Sequence, residues 1–130
     1  MSRFRHRKPP GKNLMNVIVY LENDVKAFSV TDENINFIRN RFPQWNIIRV
    51  TDENAFLDHL GKADLLITWK FKAQWYYKAP KLKAIFTPAA GHDWIEMNKN
   101  FNAAVYYGTF HGTIMAESLL AMILYFNRKI

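Results

Sequence analysis

The chain has no cysteine among its 130 residues. That excludes a disulfide framework, a thiolate metal site and a cysteine nucleophile, and it suits a cytoplasmic location. Glycine is also scarce: the five glycines stand at 11, 61, 91, 108 and 112 and form no glycine-rich turn of the kind that cradles a dinucleotide. Four scattered histidines lack metal-ligand spacing, so no metal site is expected. The longest apolar run, Ser118 to Phe126, is too short to cross a bilayer and reads as a buried helix. Nothing before Met15 has the apolar middle of a secretory signal. The paired prolines and near absence of serine there make a poor transit peptide, so export is not expected.

What is present is the composition of one packed domain, 49% hydrophobic and 22% charged. The formal charge of +7 invites a nucleic-acid reading, but its distribution weakens it. Arg3, Arg5, Arg7, Lys8 and Lys12 lie in the first fourteen positions, which contain no acid; from Met15 onward 13 basic residues face 11 acidic ones. Residues 1–14 are therefore expected to be a disordered, solvated leader, with Met15 a candidate original start. The folded part, nearly neutral, is not expected to bind nucleic acid specifically.

From Asn16 onward, short β-branched runs alternate with capped helical patterns, which predicts an α/β fold with a mainly parallel sheet. Val17–Tyr20 reads as the first strand. Thr31-Asp32-Glu33 opens a helix with a hydroxyl cap and first-turn acids; Ile35, Phe37, Ile38 and Phe42 supply its inward face, and Pro43 closes it. Trp45–Val50 is a second strand. Thr51-Asp52-Glu53 repeats the helix start, for a short helix ending near Gly61. Ala63–Thr68, continuously apolar after one acid, reads as a central strand buried on both faces. Lys72–Lys78 is expected to be helical, Lys83–Thr87 and Val105–Tyr107 to be strands, and Thr113–Asn127 to be a long apolar-rich helix.

Three segments carry a resemblance: Ala63–Thr68, then Pro80–Ile95 with the turn Pro88-Ala89-Ala90-Gly91, and Met115-Ala116-Glu117-Ser118-Leu119-Leu120-Ala121-Met122. In order and spacing they resemble the first half of the D-isomer-specific 2-hydroxyacid dehydrogenases, and the resemblance covers essentially everything after Met15. It implies a flavodoxin-like, three-layer substrate-binding domain over residues 15–112 and an interdomain helix over 113–130. That helix would lead to an NAD-binding domain that the chain lacks. NAD or NADP is the family's cofactor, but the catalytic arginine, glutamate and histidine belong to the missing half. The chain alone is then expected to bind no cofactor and to transfer no hydride between 2-keto and D-2-hydroxy acids. The resemblance leaves open which acid is the substrate.

In the family, backbone amides in the turns after two central strands help to hold the substrate carboxylate, an arrangement that suits an anion without a mobile charge. By position these turns would be Thr68, Trp69 and Lys70, and Ala90 and Gly91. The plainer reading of Gly91 is that it relaxes a tight turn and starts a helix. His111 falls near a position where formate-dehydrogenase-like relatives carry an asparagine facing substrate; a surface histidine between Gly108 and Gly112 is the alternative. His59 and His92 read as exposed, and Asp93 as a cap for a turn or for a helix near Trp94. Trp69, Phe71, Trp75, Tyr76 and Tyr77 read as core or pocket wall, with Trp69 and Phe71 as possible lining for a substrate side chain. Leu119, Leu120, Ile123 and Phe126 would lose cover without a second domain and favour self-association or a partner. The second functional reading is a non-catalytic flavodoxin-like module that binds a small carboxylate or a protein.

Overall fold

The computed structural model describes residues 15–23, 29–89 and 91–108. The expected leader at 1–14, Ala90, His111 and the helix expected over 113–127 lie outside them.

Five strands form one parallel sheet: β1 Met15–Tyr20, β2 Trp45–Arg49, β3 Leu65–Thr68, β4 Ala84–Thr87 and β5 Ala104–Tyr107. Their order is β2-β1-β3-β4-β5, the flavodoxin-like order. Each expected strand is found within two residues of its predicted ends. β3 and β4 are buried at every position, as apolar runs with covered faces require.

The strand pleat divides the core in two. Val17, Val19, Ile47, Leu65, Ile67, Ala84 and Phe86 face one layer, which α1 (Asp32–Arg41) covers with Ile35 and Ile38. Ile18, Leu66 and Ile85 face the other, shared with Phe56 of α2 (Glu53–His59), Leu60, and Trp75 and Tyr76. The sides swap because the chain leaves β1 in one direction for β2 and then returns past β1 to β3. That reversal makes the β1/β3 boundary the topological switch point of the sheet.

Both helices start as their sequences dictate. The Thr31 side chain accepts from the Asn34 amide while the Asn34 side chain accepts from the Thr31 amide, a reciprocal capping box. For α2 the cap is Asp52, one residue later than the threonine expected, and it accepts from the Ala55 amide at 2.8 Å.

Several expectations are corrected. Phe37 is 52% exposed: the buried stripe runs through Ile35, Ile38 and Phe42, and Phe37 is rotated about 100° from Ile38 on a helix. The helix expected near Lys72–Lys78 is present as a 3-10 helix over residues 73–78 that buries Trp75 and Tyr76, but Tyr77, expected in the core or a pocket wall, is 63% exposed. His59 is only partly exposed, with Nδ1 2.7 Å from the Ala55 carbonyl. No helix starts at Trp94; Asp93 and Trp94 form an exposed turn that leads into a parallel bridge between Ile95 and Phe71.

Candidate functional site

The two ends of the sheet are finished differently. At the amino ends, hydrogen bonds run from strand to strand: the Asn16 amide donates to the Asp64 carboxylate (2.9 Å) and the Asp64 amide to the Asn16 carbonyl (2.9 Å). The Lys83 amide donates to the Asp64 carbonyl (2.8 Å), the Ala104 amide to the Lys83 carbonyl (3.0 Å), and the Asn46 side-chain amide to Asn16 Oδ1 (2.8 Å). Asp64, the one acid beside the central strand, is thus a structural acceptor. At the carboxyl ends a cleft of about 160 Å³ opens at the β1/β3 switch point, lined by Tyr20, Glu22, Asn23, Thr68, Trp69, Lys70 and Trp94. Drug-sized ligands occupy roughly 300–1,000 Å³, so this cleft suits a metabolite of a few heavy atoms.

Each wall has a local cause. Thr68 closes β3, fully buried, and its hydroxyl donates to the Lys70 carbonyl at 3.1 Å, fixing the turn from within. The Thr87 hydroxyl, at the same level in β4, donates to the Trp69 carbonyl at 3.4 Å and accepts from the Ala89 amide at 3.3 Å. The two turns expected to hold a carboxylate are therefore tied to each other. Trp94 reaches the cleft because its carbonyl accepts from the Phe71 amide (3.0 Å) while the Glu96 amide donates to the Phe71 carbonyl (2.8 Å). Phe71 itself is fully buried in the core and does not line the pocket.

Charge around the cleft is paired. Arg49, at the end of β2, binds Glu22 (2.9 Å) and Asp32 (2.7 Å) and donates to the Val30 carbonyl (2.8 Å). Burial alone would lower its pKa, but its hydrogen bonds to the two carboxylates outweigh that and hold it above the ordinary value. Lys70 lies 3.7 Å from Glu53, both roughly half exposed. A pair that long and that open is weak, so Lys70 remains accessible to another anion. Tyr20 packs its ring on Phe56, with centroids 5.0 Å apart. Burial first, then Glu53, Asp52 and Glu22, push the phenol above its ordinary pKa, so at neutral pH it is a hydrogen-bond donor.

Of the residues singled out from sequence, Thr68, Trp69 and Lys70 are brought together in the cleft. Gly91 is exposed and is not among the described lining residues; Ala90 and His111 lie outside the described residues. His92 is exposed and stacks on Tyr107 at 3.8 Å. Sequence reasoning missed Tyr20, Glu22, Asn23 and Trp94. The first three end or follow a strand that the sequence shows, but only the strand order puts them at the switch point, and Trp94 arrives through a non-local bridge. Gly108 was read only as part of a glycine-flanked loop. A Cβ there would lie 2.4 Å from the Pro88 carbonyl oxygen, so the close approach of the β4 and β5 ends demands glycine. Among the described residues no group of histidines and acids could hold a metal ion, and no helix is long and apolar enough to cross a membrane.

No family model and no curated protein sequence matches the chain. Among solved structures, the fold is similar to that of an NAD-dependent formate dehydrogenase from Staphylococcus aureus, determined in complex with NAD, with a TM-score of 0.52 and 18% identity. The match covers 63% of this chain and 28% of that protein. At this identity the likeness is one of fold, and it agrees with the parallel α/β sheet described above.

Proposed function

We propose that residues 15–108 are the core of a substrate-binding domain of the D-2-hydroxyacid dehydrogenase type, which holds a small 2-keto or 2-hydroxy acid. The observation that carries this reading is the cleft at the β1/β3 switch point, where the Thr68–Lys70 turn and the accessible Lys70 ammonium form one wall. Ligands of open α/β sheets bind at this place. The carboxylate lies against that turn, with Lys70 supplying the charge, and the indoles of Trp69 and Trp94 flank the side chain. On the family resemblance we also assign Ala90, Gly91 and His111 to the substrate.

The dinucleotide is bound by other sequence, since these 130 residues contain no glycine-rich cofactor motif. Hydride transfer needs both reactants held in register, so the chain alone is inactive with NAD(P)H. Leu119, Leu120, Ile123 and Phe126 are the surface we assign to a cofactor domain or a second copy. The fold likeness to an NAD-bound dehydrogenase supports the reading at the level of architecture. Titration calorimetry of the 130-residue chain with pyruvate, 2-oxobutanoate, 3-hydroxy-2-oxopropanoate and formate tests it. Millimolar or tighter binding of a 2-oxo acid, weakened by Lys70→Met, is expected. If none of these acids binds, the chain is instead a flavodoxin-like module for another partner.

A further inference from the structure

Resting on that reading, we propose that Tyr20 is a specificity-determining residue: its hydroxyl donates to an uncharged oxygen on the ligand's side chain, selecting 2-oxo acids that carry a terminal hydroxyl or carbonyl. Tyr20 ends β1 in register with Thr68 of β3, its partner strand, and both line the cleft. Its ring is fixed on Phe56, while its hydroxyl has no hydrogen-bond partner among the described residues. The hydroxyl is not one of the buried polar atoms left unsatisfied, so water reaches it and a ligand oxygen can replace that water.

The neighbouring charges decide what kind of oxygen it meets. Glu22, Asp32, Asp52 and Glu53 cluster at this end of the sheet, against the cations Arg49 and Lys70. Arg49 is held by two of the acids, and Lys70 is the cation that lines the cleft. A ligand's single carboxylate goes to Lys70. A second anionic group beside Tyr20 would meet Glu22 and Glu53 while Arg49 is held by Glu22 and Asp32 and Lys70 is taken by the first carboxylate, which disfavours dicarboxylic and phosphorylated acids. A neutral oxygen there pays no such penalty and gains the phenol's proton as a hydrogen bond. Between the two polar ends, Trp69 and Trp94 offer apolar walls to a short carbon body.

The test uses a nearly isosteric pair, 3-hydroxy-2-oxopropanoate and 2-oxobutanoate, which differ by a hydroxyl in place of a methyl. The wild-type chain should bind the hydroxylated acid about three- to tenfold more tightly, the usual net worth of one neutral hydrogen bond. Tyr20→Phe should erase that difference, weakening the hydroxylated acid more than 2-oxobutanoate. Equal affinities in the wild type, or a loss in Tyr20→Phe that is the same for both acids, would overturn the inference while leaving the proposed site intact. Failure of the wild type to bind either acid would instead overturn the function it rests on. Should Tyr20→Phe prove unstable by circular dichroism, the wild-type comparison decides alone.

Discussion

Gly91 and Gly108 make a matched experiment, because neither backbone is left-handed and only the space around them differs. At Gly108 an added Cβ would lie 2.4 Å from the Pro88 carbonyl oxygen, 2.9 Å from its carbon and 3.1 Å from its Cα. All three are backbone atoms that no rotamer change can move. The Gly108 amide also donates to the carbonyls of Thr87 (2.8 Å) and Ala89 (3.2 Å), so relieving the clash by withdrawing β5 loses that bond. Overpacking typically costs about 1–3 kcal/mol and one hydrogen bond about 1 kcal/mol, which sets the expected loss for Gly108→Ala at about 2–4 kcal/mol. For a domain of roughly this size each kcal/mol moves Tm by about 4–8 °C, so Gly108→Ala should melt about 10–30 °C below the wild type. Gly91→Ala meets nothing within 4 Å, and it should leave Tm unchanged or raise it slightly by stiffening the unfolded chain. Differential scanning calorimetry of both variants decides the matter. A Gly108→Ala protein melting within about 2 °C of the wild type would refute the claim that the ends of β4 and β5 are held this close.

Two further outcomes follow from the packing. The Tyr76 phenol, pushed up to about 12 by burial and then by Tyr107 and Glu96, stays protonated well above its ordinary 10.0; its stabilising contribution is whole below pH 10 and drains away between pH 10 and 12. That is at most about 2–3 kcal/mol, and Tyr76→Phe, although it loses the 2.9 Å bond to the Glu96 carbonyl, should flatten this alkaline limb in urea melts between pH 9 and 12. On α1, Phe37→Gln should change stability by no more than about 0.5 kcal/mol, whereas Ile38→Ala, one residue on, should cost about 2–4 kcal/mol; equal losses would mean that both residues face the core.

The legible parts of the molecule were those that one stretch of chain decides. A strand buried on both faces must be apolar throughout, so Leu65–Thr68 and Ala84–Thr87 announced themselves. A helix start must satisfy its own free amides, so the Thr31 and Asp52 regions did too. Phe37 faces solvent although it is apolar, because helical phase and not hydrophobicity decides the buried stripe: a residue two positions from Ile35 points about 200° away on a helix. The helix expected over Lys72–Lys78 is there as a 3-10 helix over 73–78, but which of its aromatics face the sheet was not legible: Trp75 and Tyr76 are buried and Tyr77 lies outside.

The site was half legible for a related reason. That a ligand cleft belongs at the carboxyl end of β3 follows from strand direction, while Thr68, Trp69 and Lys70 themselves were implied by the family resemblance. Its other walls depend on which strand lies next to β3. Strand order is a non-local property: only when β1 is known to lie between β2 and β3 do Tyr20 and Glu22 come to face the Thr68 turn. Only the bridge from Phe71 to Ile95, 24 positions apart in the chain, delivers Trp94. The amino ends could not serve the same purpose, because Asn16, Asp64, Lys83 and Ala104 use their backbone groups to stitch adjacent strands together. The carboxyl ends of β1 and β3 diverge toward helices on opposite faces of the sheet, α1 on one side and the 73–78 helix on the other. That divergence leaves the gap at the switch point, and the paired charges of Glu22 with Arg49 and Glu53 with Lys70 stand around it.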